Sequence, residues 1–297
     1  MILILATFVI FATTYSLVTP SFEGPDEDSH FFYSYYLVNE DLTKTYKSSI
    51  YTKIGSDPLY YIINSGFVYL LNPTVTSDIP VNYNYWHEDA KMHFLHDLEV
   101  FPYSDIAATI HTMRLLSIVF GVITVIFVYK ISKLVFPNNR WLPLYVTAFV
   151  ALIPMFLSIN AVLNSDVLLW TLSTIAIFFL FKFVNEPKRI KFVILVAVFT
   201  TLALSTKANG LVLIPIFLSA ITYLFISKQI RIRTLIKHLF LYGIFSVISI
   251  SWLWIFRVLR NIDYANASIS EILHKAFGFA SGNIVSGLPG LLDTSTA

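Results

Sequence analysis

Seven runs of about twenty apolar residues, close to the length that crosses a ~30 Å hydrocarbon core, constrain this chain more than any other feature. They fall at approximately 1–19, 106–129, 142–160, 165–184, 190–206, 210–227 and 237–256. With 13% charged and 56% hydrophobic residues and a mean hydropathy of +0.71, a soluble globular fold is excluded. The expected fold is all-α: a polytopic membrane protein with seven transmembrane helices. The first run has no basic segment before it, and Thr19-Pro20 is a poor cleavage site, so it is read as a membrane anchor rather than a removed signal.

Lys and Arg set the orientation. Eleven of them stand in alternate short loops: Lys130, Lys133, Arg140, Lys182, Lys188, Arg189, Lys191, Lys228, Arg231, Arg233 and Lys237. The opposite short loops carry only Lys207. The expectation is a multi-pass plasma-membrane protein with a cytoplasmic N-terminus and with 20–105 and 257–297 outside. A net charge of +2 lacks the basic surface a nucleic-acid partner requires. The absence of cysteine removes disulfides, thiolate metal sites and cysteine nucleophiles.

The polar residues are concentrated in 20–105, which holds thirteen of the eighteen acids and four of the seven histidines. A loop of that length is functional or disordered, and its many aromatic residues oppose disorder. Two amphipathic juxtamembrane helices are expected within it. One, over His30 to Val38, places Phe31, Tyr35 and Val38 on one face. The other, over Pro58 to Leu71, does the same with Leu59, Ile62, Ile63, Phe67 and Leu70. Such helices lie in the headgroup region or pack on the spans as protein core; both arrangements stay open at this stage. The two regions are thus 1–256, a membrane core carrying the loop 20–105, and 257–297, a tail in which Ser268 and Glu271 suggest a capping box before one further helix.

The chemistry-bearing residues gather on one face. Asp26, Glu27 and Asp28 follow the first span directly, and three adjacent acids suit a general base or a cation site as well as a solvated helix-capping turn. Asp166 is the one acid between Asp105 and Glu186 and lies at the outer end of the fourth span, where Asn164, Ser165 or Asp166 can also cap a helix. Arg114 lies inside the second span and Lys207 at the outer start of the sixth. Ionisable residues at such depth are costly and usually functional; a phosphate headgroup at the outer leaflet gives Lys207 a ligand, and snorkelling to lipid headgroups is the alternative for both cations. His30 can bind metal or phosphate, or be structural. His87, His93 and His96 do not form an HExxH motif, because Lys91 takes the second histidine's place.

Pro25-Asp26-Glu27-x-x-His30-Phe31, Asp57-Pro58-Leu59-Tyr60-Tyr61, Arg114-Leu115-Leu116-Ser117, Asn164-Ser165-Asp166 and Thr206-Lys207-x-x-Gly210 occur in that order. This ordered set resembles the GT-C superfamily of membrane glycosyltransferases, including protein O-mannosyltransferases and lipid A aminoarabinose transferases. The resemblance implies seven core spans with two juxtamembrane helices and a polyprenyl-phosphate sugar donor. It also implies an acid of the first outer loop as base, here Asp26 with Glu27 beside it. Asp166 corresponds to the second acidic position, which in some relatives helps hold a divalent metal, the one cofactor implied. Arg114, Lys207 and His30 are then donor-phosphate residues, and the acceptor is a glycan, lipid or protein. Asp57 stands where many relatives have proline. Relatives also continue through several more helices, which implies an incomplete C-terminal region. The competing expectation is a non-enzymatic membrane protein, either a transporter or an inactive partner subunit of a glycan assembly system.

Overall fold

The computed structural model describes residues 1–39, 58–74, 101–103 and 105–260. The capping box at Ser268 and Glu271, the histidines His87, His93 and His96, and Asp57 lie outside the described residues. Among the described residues every regular element is helical. They are α1 (Ile2–Val18), α2 (Glu27–Asn39), α3 (Leu59–Leu71), α4 (Asp105–Val135), α5 (Leu142–Ala151), α6 (Pro154–Asn160), α7 (Ser165–Asn185), α8 (Ile190–Leu204), a 3-10 turn Ala208–Val212, α9 (Leu213–Ile226) and α10 (Ile232–Arg260). The contact pattern separates a compact unit, Met1–Leu253, from Trp254–Ala297.

Each of the seven apolar runs is helical, and they differ in reach. Four stretches, Asp105–Val135, Ser165–Asn185, Ala208–Ile226 and Ile232–Ser251, are long and apolar enough to cross a membrane. A fifth qualifies when α5 and α6, bent by 58° at their junction, are taken as one broken span. Pro154 is the cause, because it has no N–H to continue the helix of α5 and instead starts α6. Helices α1 and α8, with 17 and 15 residues, are shorter apolar helices, so among the described residues four or five of the seven expected spans are long and apolar enough to cross a membrane.

The bundle is built on α7, which packs along α4 and α8. Gly121 permits a close crossing: a Cβ there would lie 2.5 Å from both Phe8 Cζ and Asn160 Oδ1, so α1 and α6 meet α4 only because the side chain is absent. Thr124 Oγ1 and Thr171 Oγ1, 2.9 Å apart, join α4 to α7 across an otherwise apolar contact, a form of polar helix pairing suited to lipid.

Both expected juxtamembrane helices form, and they pack on the spans. Tyr33 of α2 and Tyr60 and Tyr61 of α3 share a core with Val167, Leu168 and Leu172 of α7 and Ala203 of α8. Phe31 joins Ile106, Ile110 and Met113 of α4, with Tyr35 and Val38 partly buried against them, as their spacing predicts. In α3 the buried face differs from expectation. Tyr60, Tyr61, Asn64 and Val68 face inward, whereas Leu70 is 76% exposed. Leu59, Ile63 and Phe67 of the expected face are partly buried against the same cores, and Tyr60 and Tyr61 bury their large rings beside them.

Candidate active site

The turn between α1 and α2 is held by one buried ion pair. Arg114, inside α4 and fully buried, donates from Nε to Glu27 Oε1 at 2.8 Å and from Nη2 to Glu27 Oε2 at 2.6 Å. Its remaining N–H groups go to the carbonyls of Ser16, Thr19 and Pro20 at 2.6 to 2.9 Å. A guanidinium has five donors, and all five are engaged. Glu27 also accepts from the backbone N–H of Phe22 and of Leu163, each at 3.0 Å, so both carboxylate oxygens are saturated.

Arg114, expected at the donor phosphate, and Glu27, expected beside the catalytic base, are here paired with each other, and both side chains are sealed from solvent. Together they fasten the end of α1, the start of α2 and the turn before α7. An ion pair this buried gains strength from bidentate geometry and full hydrogen bonding, the condition under which desolvation is offset.

Asp26 is separated from its neighbour by backbone conformation. Its φ of 55° places it in the left-handed region, and the side chain is exposed while Glu27 is buried. Phe22 shares the unusual hand, with φ 67°. Such residues cost of order 1–3 kcal/mol each and persist where surrounding structure overdetermines them; the Glu27 hydrogen bonds do so here. Gly24 seats the turn, since a Cβ would fall 2.8 Å from Val162 Cβ. The three adjacent acids therefore occupy three different environments, Asp26 exposed, Glu27 buried and Asp28 half-buried.

Asn164 caps α7, its side chain accepting from Asp166 N–H at 2.8 Å. That leaves the Asp166 carboxylate for a different partner. Lys207 Nζ donates to Asp166 Oδ1 at 2.7 Å, with the side chains 32% and 28% exposed. Lys207 lies on a turn fixed at both sides: its N–H bonds Ala203 O, and the N–H of Gly210 bonds Lys207 O. A Cβ on Gly210 would lie 2.6 Å from Leu204 N, so only glycine lets the 3-10 turn fold against the end of α8. The N–H of Leu59 bonds Ser205 O at 3.1 Å, which ties the start of α3 to the same turn.

His30 lies one helical turn beyond Asp26, and its backbone N–H bonds Asp26 O at 3.0 Å. Its Nδ1 is 2.9 Å from Tyr61 Oη, and the two rings stack. Burial, reinforced by the Lys207 charge, pushes the imidazole down to about 4. His30 is therefore neutral near pH 7 and buried. Burial likewise raises the neighbouring Tyr60 phenol above its ordinary value. Asn164 takes the capping role expected at that position, whereas the contact of Tyr61 with His30 and the close approach at Gly24 are features to which sequence reasoning gave no role.

Among the described residues no three His, Asp or Glu side chains converge as a metal-binding group. Asp166, the acid expected to help hold a divalent ion, is paired with Lys207 instead.

The site thus has an exposed carboxylate at Asp26, a half-exposed ion pair at Asp166 and Lys207, and a buried brace connecting the turns that carry them. Residues 106–254, half of the chain, match the family described as dolichyl-phosphate-mannose-protein mannosyltransferase. No curated protein matches the chain significantly. Among solved structures, the fold is similar to that of the S. cerevisiae protein O-mannosyltransferase Pmt1-Pmt2 complex bound to the sugar donor, with a TM-score of 0.55 and 17% identity. That similarity covers 87% of this chain and 33% of the other, so the chain spans about a third of that structure's length.

Proposed function

The chain belongs to the dolichyl-phosphate-mannose-protein mannosyltransferase family, within the GT-C superfamily of membrane glycosyltransferases, and we propose that it transfers a sugar from a polyprenyl-phosphate donor to an acceptor hydroxyl at the outer membrane face. The observation that carries this reading is the exposed Asp26 turn braced, through Glu27 and Leu163, against the turn that presents Asp166 to Lys207. The Lys/Arg asymmetry supports an outward-facing site and a cytoplasmic N-terminus.

The reaction is a single displacement with inversion. The acceptor oxygen attacks the anomeric carbon as Asp26 takes its proton. The bond from that carbon to the phosphate oxygen breaks with its electron pair, and the polyprenyl phosphate leaves. Phosphate needs little protonation to depart, so a base and a cation are sufficient. Lys207 supplies the cation, being the solvent-reachable one of the two expected. Glu27 and Arg114 act as positioning residues, fixing the turn that holds Asp26. His30, held by Tyr61, is neutral and adds no charge of its own to the site.

Mass spectrometry of polyprenyl-phosphate-linked sugars and surface glycans in cells lacking the protein tests the reading. Accumulation of one lipid-linked sugar, with loss of one glycan feature, identifies donor and acceptor class. Unchanged pools of both contradict it.

A further inference from the structure

Lys207 is the cation the proposed reaction needs at the donor phosphate, yet in this structure it is engaged. Its Nζ lies 2.7 Å from Asp166 Oδ1, and among the described residues that carboxylate is its hydrogen-bond acceptor. Neither partner is buried. At 32% and 28% side-chain exposure, the pair is within reach of solvent. This contrasts with Arg114 and Glu27, where both side chains are wholly inaccessible. One pair is a permanent brace; the other can exchange partners.

We infer that the Asp166–Lys207 pair is a latch, which the donor phosphate opens by taking Lys207 and thereby releasing the Asp166 carboxylate to receive the acceptor. The inference rests on the reading above that Lys207 meets the donor phosphate.

Three features support the exchange. The fixed turn around Lys207, bonded at Ala203 and Gly210, confines motion to the four-carbon side chain, so Nζ changes partner without the backbone moving. Asp166 has its backbone N–H capped by Asn164 and keeps its place when its partner leaves. Among the described residues Lys207 is the cation paired with Asp166, and His30, which feels both charges, is neutral and buried. A freed carboxylate therefore has an unmet need for a hydrogen-bond donor, which an acceptor or sugar hydroxyl provides. Substrates then bind in order, donor first. The exchange also favours the transition state, because negative charge on the phosphate grows as the bond to the anomeric carbon breaks, and the attraction of Lys207 grows with it.

The test is equilibrium binding of farnesyl monophosphate, a soluble short-chain polyprenyl phosphate, to the full chain and three variants: Asp166→Asn, Lys207→Ala and the double variant. The latch competes with the ligand, so Asp166→Asn is expected to bind about three- to tenfold tighter than the unchanged protein, which corresponds to roughly 0.7–1.4 kcal/mol. The gain is expected to vanish in the Lys207→Ala background. Weaker or unchanged binding by Asp166→Asn overturns the latch and makes Asp166 a support for Lys207. An equal gain in both backgrounds also overturns it, because simple charge repulsion then accounts for the effect. Unchanged binding in Lys207→Ala alone removes Lys207 from the donor site, and the proposed mechanism fails along with the latch. Asp166→Ala, compared by thermal midpoint, replaces Asp166→Asn if the amide variant does not fold.

Discussion

Glu27 and Arg114, 87 residues apart in sequence, form a bidentate ion pair with both side chains inaccessible to solvent. The pair connects the first span to the second and, through Leu163, to the turn before α7. A charge pair at this depth is costly to form and costlier to halve. Either residue left alone is an unpaired buried charge.

Glu27→Gln and Arg114→Met are each expected to destabilise the protein by about 3–5 kcal/mol. Replacing both together, as Glu27→Leu with Arg114→Met, should recover only part of that loss: the unpaired charge is gone, but the carbonyls of Ser16, Thr19 and Pro20 and the N–H groups of Phe22 and Leu163 lose their partners. Thermal unfolding in detergent checks this. Single variants with unchanged stability and weakened donor binding would return Arg114 to the phosphate site.

His30 gives a pH dependence of known sign. Its folded value near 4 lies below the ordinary 6.5, so between those limits the unfolded chain binds a proton that the folded chain excludes. The contribution is fully present above pH 6.5 and is lost as pH falls toward 4. Between pH 7 and pH 5 the loss is about 2 kcal/mol. In His30→Gln the fall in thermal midpoint over that interval should shrink correspondingly. An unchanged fall would show that His30 is already charged or solvated in the folded state.

Gly210 positions Lys207 through the backbone. Gly210→Ala introduces a Cβ 2.6 Å from Leu204 N, and the 3-10 turn must move away from α8. Crowding of this kind costs about 1–3 kcal/mol. Binding of farnesyl monophosphate should weaken alongside, as in Lys207→Ala, although Gly210 has no side chain to offer a ligand. Full binding in a destabilised Gly210→Ala protein would separate the turn from the donor site.

The helices were legible because lipid demands long apolar stretches, which stand out in any sequence. The bend at Pro154 has a covalent cause, a ring nitrogen with no proton to donate. The shorter reach of α1 and α8 was less legible, since an apolar run continues past the residues that hold helical geometry. Within the site, Asp166 and Lys207 were conspicuous as charges in apolar surroundings. The division of labour between Asp26 and Glu27 was not, because it depends on a left-handed residue and on an arginine far along the chain. The inward face of α3 was hidden for a related reason: Tyr60 and Tyr61 look polar in a periodicity count, yet bury large rings.

Orientation is checked directly, because the chain contains no cysteine of its own. Single cysteines at Ser48 and Ser227 should label with a membrane-impermeant reagent in intact cells only at position 48. Labelling at position 227 alone, or at both, reverses or removes the outward-facing site.

The most direct test of the account is Asp26→Asn, with sugar transfer and donor binding measured separately on the full chain in lipid vesicles. The substitution preserves shape, and asparagine tolerates the left-handed backbone that Asp26 adopts, while the proton acceptor is removed. Transfer should fall by roughly 10²–10⁴, the range general-base catalysis supplies, with donor affinity nearly unchanged. Full transfer activity in Asp26→Asn would contradict the mechanism.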